Sequence, residues 1–237
     1  MRDRIYADAL ANVAGFRFDD AVADVFPDMI QRSVPGYSNI IAMTGLLAGR
    51  YAVDGTRCYD LGCSLGASTL AMWSQLQGRP VQFVSVDNSE AMLARCRAAL
   101  PVGAAIELQC ANLQDVKIER ASVVVLNFTL QFVPLEERNA VLQRIHDGLC
   151  PGGILVLSEK ICFDNPVLQR LTTELHHDFK RANGYSDLEI SQKRTALENV
   201  LVPETLAAHT ERLQIAGFSD VGVWFQCFNF MSLVAIK

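Results

Sequence analysis

The rhythm of apolar and polar positions changes near residue 57. Upstream, apolar residues recur at helical spacing with two interruptions, Phe26–Pro27–Asp28 and Ser33–Val34–Pro35–Gly36–Tyr37. Residues 1–50 therefore read as a helical cap without strands. Downstream, short apolar runs alternate with helical stretches, which predicts strands at 57–61, 81–87, 106–110, 122–127 and 153–159 with helices between them. The amphipathic stretch 136–149 predicts a helix that Pro151, Gly152 and Gly153 terminate and turn into the next strand. A polar, helix-forming segment from about 160 to 200 is too long for a plain connection and reads as an insertion. A helix at 203–216 and strands at 221–225 and 230–236 complete the pattern, the last two as an antiparallel hairpin. The expected fold class is α/β, with a mostly parallel seven-stranded sheet, a C-terminal antiparallel hairpin and an N-terminal helical cap.

Composition narrows this picture only in part. A chain of 237 residues, half of them apolar, buries one sizeable core, so residues 1–237 are expected to form a single domain. The net charge of −5 gives no electrostatic reason to expect a nucleic-acid backbone as main ligand. Seven cysteines, odd in number and without metal-like clustering, fit a reducing compartment, and the expected location is cytoplasmic. Residues 1–11 carry Arg2, Asp3, Arg4 and Asp8 and lack the apolar run of a signal peptide, and no segment reaches the roughly eighteen apolar residues of a membrane span.

The chemistry-bearing residues fall where strands should end. Tyr59–Asp60–Leu61–Gly62–Cys63–Ser64–Leu65–Gly66 lies at the handover from the first predicted strand to a helix. Its glycines let backbone amides and a helix N-terminus approach a ligand, and Asp60 can accept from an amino group. Asp87 ends the second predicted strand about twenty residues later, where a carboxylate can hold both hydroxyls of a ribose. Asn112 and Leu113 follow the third strand and can read an adenine edge. Asn127 follows the fourth and can line the reacting centre. Each Asn alone is an ordinary turn former; convergence of parallel strand ends on one crevice gathers them. Phe128–Thr129–Leu130–Gln131–Phe132 lacks the Pro-Pro-aromatic pattern of enzymes that methylate base amino groups.

Cys63 and Cys110 have no nearby histidine and read as small hydrophobes. His176 and His177 are adjacent, so on a helix they point about 100° apart and read as caps or surface contacts; no metal is expected. In the basic cluster, Lys180 reads as a solvated helix face. Arg194, with its planar fork, is the candidate for an anionic group, and Arg32, Lys193 and Tyr185 are further candidates for a carboxylate-bearing substrate.

At these residues the chain resembles the carboxy-S-adenosylmethionine synthase family. The resemblance covers nearly the whole chain and is carried by FPDMIQRSVPGYSNI (26–40), YDLGCSLG (59–66), VVLNFTLQF (124–132), HHDFKRANGYSDLEISQKR (176–194) and WFQCFNF (224–230). It implies a class I S-adenosylmethionine-dependent methyltransferase fold, which is Rossmann-like. It also implies an activity that converts S-adenosylmethionine and prephenate to carboxy-S-adenosylmethionine, phenylpyruvate and water. The path implied releases carbon dioxide and hydroxide from prephenate, with hydroxide helping to form a sulfonium ylide, so no dedicated protein base is expected. The S-adenosylmethionine contacts implied are Tyr37, Gly62, Cys63, Ser64, Asp87, Asn88, Asn112, Leu113 and Asn127, with Arg194 reaching the product carboxylate from the partner subunit of a homodimer. Asn112 departs from the Asp that other members can carry. The product would pass to a carboxymethyltransferase acting on the tRNA wobble uridine, without tRNA contact by this chain. The alternatives are a small-molecule or RNA methyltransferase sharing Asp60, the glycine turn and Asp87, and a noncatalytic scaffold that keeps the pocket.

Overall fold

Period-two alternation in a strand covered on both faces sends successive apolar residues into two different cores. A computed structural model describes residues 1–237 and shows this sorting clearly in β4 (Ala121–Asn127). There Val124 and Leu126 pack with Val141, Leu142 and Ile145 of α5 (Arg138–Gly148). Val123 and Val125 face the other way, toward Ala48 of α2 (Tyr37–Tyr51) and Met72 of α3 (Ala67–Gln75). The neighbouring β5 (Leu149–Lys160) divides Leu155 and Leu157 from Ile154 and Val156 in the same way.

The remaining elements are α1 (Asp20–Ser33), β1 (Arg57–Leu61), β2 (Gln82–Asp87), α4 (Glu90–Ala99), β3 (Ile106–Cys110), α6 (Pro166–Ala182), α7 (Asp187–Leu197), α8 (Leu206–Ile215), β6 (Asp220–Cys227) and β7 (Phe230–Ile236). The seven strands form one sheet in the order β3-β2-β1-β4-β5-β7-β6. The first five are parallel, and β7 runs antiparallel between β5 and β6. Both halves of the expected sheet, parallel body and terminal hairpin, are present. Chain order reverses between β1 and β4, so the loops that follow them leave toward opposite faces and open a crevice at their carboxyl ends.

Three local expectations are corrected. Pro27 does not break the first helix; α1 runs through it from Asp20 to Ser33. Burial of Val22, Ala23, Val25 and Met29 along one face offsets the lost hydrogen bond, a case of packing overriding propensity. The real break falls at Val34–Gly36, where Gly36 adopts φ +77 and a Cβ would meet the Phe225 ring at 2.2 Å. The helix α5 ends at Gly148 because Leu149 already turns extended and opens β5, so Pro151–Gly153 lie inside the strand and do not form the helix terminator. Finally, the cap is less helical than expected. Residues 1–19 are without helix, and α2 belongs to the layer covering the sheet, whereas α1 packs with Tyr6, Phe16 and Met92.

Two buried ionic groups shape the loops at the sheet's carboxyl edge. Glu159 is fully buried and accepts the Leu130 and Gln131 amides at 2.8 and 3.1 Å; burial pushes its carboxyl up to about 8, against those bonds. Arg138, also fully buried, donates to the Val133, Gln131 and Val202 carbonyls and to Glu204. Replacing Arg138 by Met strands those acceptors and is expected to lower unfolding stability by about 3 kcal/mol, measured as the shift of a urea unfolding curve.

Candidate functional site

The crevice is a continuous cavity running along the carboxyl ends of the parallel strands. Its floor is set by the turn after β1. Gly62 (φ +80) passes so close to the loop after β4 that a Cβ would lie 2.3 Å from Thr129 Oγ1. Ser64 takes a positive φ of 50° without being glycine, and its amide donates to Asp87 Oδ2 at 2.8 Å while the Ser89 amide donates to Oδ1 at 2.9 Å. One carboxylate thus joins the turn after β1 to the start of α4 and still lines the cavity. Burial raises its carboxyl above the ordinary aspartate value, opposed by the two amides.

Farther along, Asn88 donates to Asn112 Oδ1 at 3.1 Å, and both line the cavity beside Leu113. Asn127 is held at both ends of its side-chain amide. Its Nδ2 donates to Ser68 Oγ and Thr44 Oγ1 at 2.9 and 3.3 Å, and its Oδ1 accepts from Ser158 Oγ at 2.6 Å. Tyr37 and Phe128 close the cavity above it, ring centroids 6.3 Å apart, with Phe128 turned inward by a φ of +60.

Most of the residues proposed from sequence therefore line one cavity: Tyr37, Gly62, Cys63, Ser64, Asp87, Asn88, Asn112, Leu113 and Asn127. Asp60 does not join them. Its Oδ2 accepts from the Thr69 amide and hydroxyl at 2.9 and 2.6 Å, so it ties down the first turns of α3 behind the glycine loop. Desolvation raises its carboxyl to about 6, with the Thr69 bonds opposing. Arg194 is exposed on α7 outside the cavity of its own chain. Cys63 lines the cavity as a buried thiol pushed far above the usual range, the state of a neutral wall group.

The insertion departs from its sequence reading. His176 is buried, its Nε2 lies 2.8 Å from the Ser33 carbonyl oxygen, and burial together with Lys180 and Lys160 lowers it to about 2, so the ring is neutral. Lys180, read as a solvated residue, is 7% exposed and faces the cavity, one helical turn from His176. Burial first, then the charges of Lys193 and Lys160, lowers it to about 7. Lys193 also lines the cavity. Arg32 and Tyr185 stand outside it as a brace, the guanidinium 3.8 Å from the ring centroid and the phenol donating to Asp3. No cluster of His, Cys, Asp and Glu is arranged to hold a metal ion.

Because Lys180 binds its proton more weakly folded than unfolded, its cost to folding is complete below about pH 7 and fades as pH rises toward its unfolded value. Lys180→Met is therefore expected to stabilise the ligand-free protein, with an advantage that shrinks between pH 7 and 9 by at most about 1.4 kcal/mol per pH unit. Thermal melts of both proteins across that range check it; an advantage that grows with pH contradicts it.

The methyltransferase-domain family matches residues 59–153, the stretch that contains the glycine turn, Asp87 and Asn127. Among solved structures, an O-methyltransferase-like protein from Nostoc punctiforme superposes with a TM-score of 0.65 at 15% identity, covering 92% of this chain and 59% of that one. Human N-acetylserotonin methyltransferase, solved with S-adenosylmethionine, gives 0.61 at 15% identity, covering 92% and 55%. At such identities the likeness concerns the fold alone, the class I methyltransferase arrangement. Sequence relatives are much nearer. The carboxy-S-adenosyl-L-methionine synthase of Trichlorobacter lovleyi is 61% identical over 99% of this chain and 98% of its own. That of Shewanella sp. strain ANA-3 is 56% identical over 100% and 98%. With more than half its residues shared along nearly its entire length, the chain belongs to the carboxy-S-adenosyl-L-methionine synthase family.

Proposed function

We propose that the cavity binds S-adenosylmethionine along the ends of β1 to β4 and carboxylates its S-methyl carbon with prephenate as the donor. The products are carboxy-S-adenosylmethionine, phenylpyruvate and water. The observation that carries this reading is the cavity lining formed by the Gly62–Ser64 turn, Asp87, Asn112 and Asn127, with near-full-length relatives that bear the name carboxy-S-adenosyl-L-methionine synthase. Prephenate contributes carbon dioxide and hydroxide as its ring becomes aromatic. The methyl carbon gives up one proton, which ends in water, and takes up the carbon dioxide. Atoms and charge balance without a protein base or an external oxidant.

The residues perform the remaining work. Asp87 takes the ribose hydroxyls, and Asn88, Asn112 and Leu113 border the adenine. Asn127, held by Ser68, Thr44 and Ser158, presents a fixed amide near the sulfonium. Tyr37, Phe128 and Phe230 keep water from carbon dioxide in transit, and fixed dipoles in a dry site lose nothing to reorganisation. Arg194 meets the new carboxylate from the partner subunit of a homodimer. What supports pairing is the exposed apolar face on the same two helices, with Val167, Leu168 and Leu171 on α6 and Leu188 on α7. The reading includes a cytoplasmic enzyme whose product serves a carboxymethyltransferase that modifies tRNA.

Incubation with S-adenosylmethionine and prephenate is expected to yield a nucleoside heavier by one carbon dioxide in a mass spectrum. A methylated acceptor with no such nucleoside points instead to an ordinary methyltransferase. Asp87→Ala is expected to weaken S-adenosylmethionine binding by about 2 kcal/mol, roughly thirtyfold in Kd by calorimetry. Arg194→Ala is expected to cut carboxylated product at least about tenfold in a folded chain; undiminished yield removes Arg194 from the site.

A further inference from the structure

Three lysines meet at one end of the cavity, of which only Lys193 stands out in the sequence as a candidate for a carboxylate. Lys160 ends β5, Lys180 sits on α6 and Lys193 on α7, and all three line the same space. This is the end away from Asp87, because β5 lies beyond β4 while β2 and β3 lie on the opposite side of β1. Ser33, the last residue of α1, ties the insertion into place, with its carbonyl 2.8 Å from His176 Nε2 and its hydroxyl accepting from Lys193 Nζ at 3.1 Å.

Charge around this end does not balance. Asp87, at the far end, is the one carboxylate among the lining residues. Asp3, beneath the wall, approaches Lys193 at 3.8 Å, but it also accepts from Tyr185 and is the only acid raising the pKa of Lys180. Burial lowers Lys160, holds Lys193 near 8 and, with its two cationic neighbours, holds Lys180 near 7, as expected of buried ammonium groups that share a single acid. S-adenosylmethionine worsens the imbalance, since its sulfonium and ammonium outweigh its carboxylate. A group that completes this site brings negative charge, and two carboxylates suit three lysines that share one acid, Asp3. Beside the lysines, Val34, Ile40, Phe128 and Phe230 form an apolar cluster, with the two phenyl centroids 6.1 Å apart, so the same group also has a flat apolar body.

We infer that Lys160, Lys180 and Lys193 seat the two carboxylates of the donor, an organic dianion whose ring lies against Phe128 and Phe230. The inference rests on the carboxylation proposed above and gives the donor a location there. With the dianion in place, three ammonium groups and a sulfonium surround two carboxylates, and the carboxylate to be lost as carbon dioxide is held between the lysines and the S-methyl carbon. Lysine suits this task, since a compact ammonium on a flexible stem can follow a group that changes position as its bond breaks. Neutral His176, packed edge-on to Phe230 at 4.8 Å, separates the cations without adding charge.

The test uses the full chain with Lys160→Met, Lys180→Met and Lys193→Met made singly; each removes a buried charge and keeps the stem. Steady-state rates are measured against prephenate at saturating S-adenosylmethionine, and S-adenosylmethionine affinity is measured separately by calorimetry. The expected result is a KM for prephenate raised at least about tenfold in Lys180→Met and Lys193→Met, with the S-adenosylmethionine Kd within about twofold of wild type. Lys180→Arg is expected to recover part of the loss. An unchanged KM in all three variants overturns the assignment. So does a parallel loss of S-adenosylmethionine affinity, which would mean the lysines hold the methionine carboxylate. If wild-type protein makes no carboxylated product, the functional reading fails on its own, and calorimetric titration with prephenate then decides the seat. Binding to wild type that Lys180→Met abolishes retains it, and no binding to wild type removes it.

Discussion

The contact between Gly62 and Thr129 governs the whole cavity. These residues lie on loops leaving neighbouring parallel strands toward opposite faces of the sheet, and they pass with no room for a Cβ between them. That closeness seals the cavity floor and sets the height at which Ser64 meets Asp87. It also leaves Phe128 at a positive φ, so that its ring points inward. The backbone strain at Ser64 and Phe128 persists because hydrogen bonds and packing on both sides leave the chain no relaxed alternative.

From this floor the cavity divides into ends of opposite character. One is polar and uncharged apart from Asp87, made from the ends of β1, β2 and β3; the other is cationic, made from β5 and the two insertion helices. An ordinary methyltransferase-like sheet supplies the first end without modification. The second requires residues 160–197, whose helices bring charge inward and present Val167, Leu168 and Leu171 outward. The insertion is thus amphipathic in an inverted sense, with polar residues against the cavity and apolar ones exposed on the outside.

That inversion explains what could and could not be read from the sequence. Strands such as β4 are legible because alternation and burial agree, and Asp87 is legible because strand length and turn spacing place it at a strand end. Lys180 and His176 are not. A polar stripe on a helix ordinarily faces water, and the residues that make its surroundings dry lie more than a hundred positions away, at Ser33 and Tyr37. Asp60 was legible as a strand-end acid, but its orientation depends on Thr69, nine residues later, which captures the carboxylate. Pro27 misleads for the opposite reason, since tertiary packing outweighs a strong local signal. The buried Arg138 and Glu159 carry no local signature either, because their partners are mostly backbone groups.

The first nineteen residues lack regular structure of their own and are held by α7 and its approach. The Leu10 amide donates to Gln192, the Phe16 amide to the Ala196 carbonyl, and the Gln192 amide side chain to the Tyr6 and Asp8 carbonyls, across separations of about 180 residues. Residues 6–16 are consequently anchored by a segment that is synthesised about 180 residues later. During synthesis all five parallel strands precede α7, so the strap over residues 1–19 and the cationic end of the cavity are completed only after α7 has emerged.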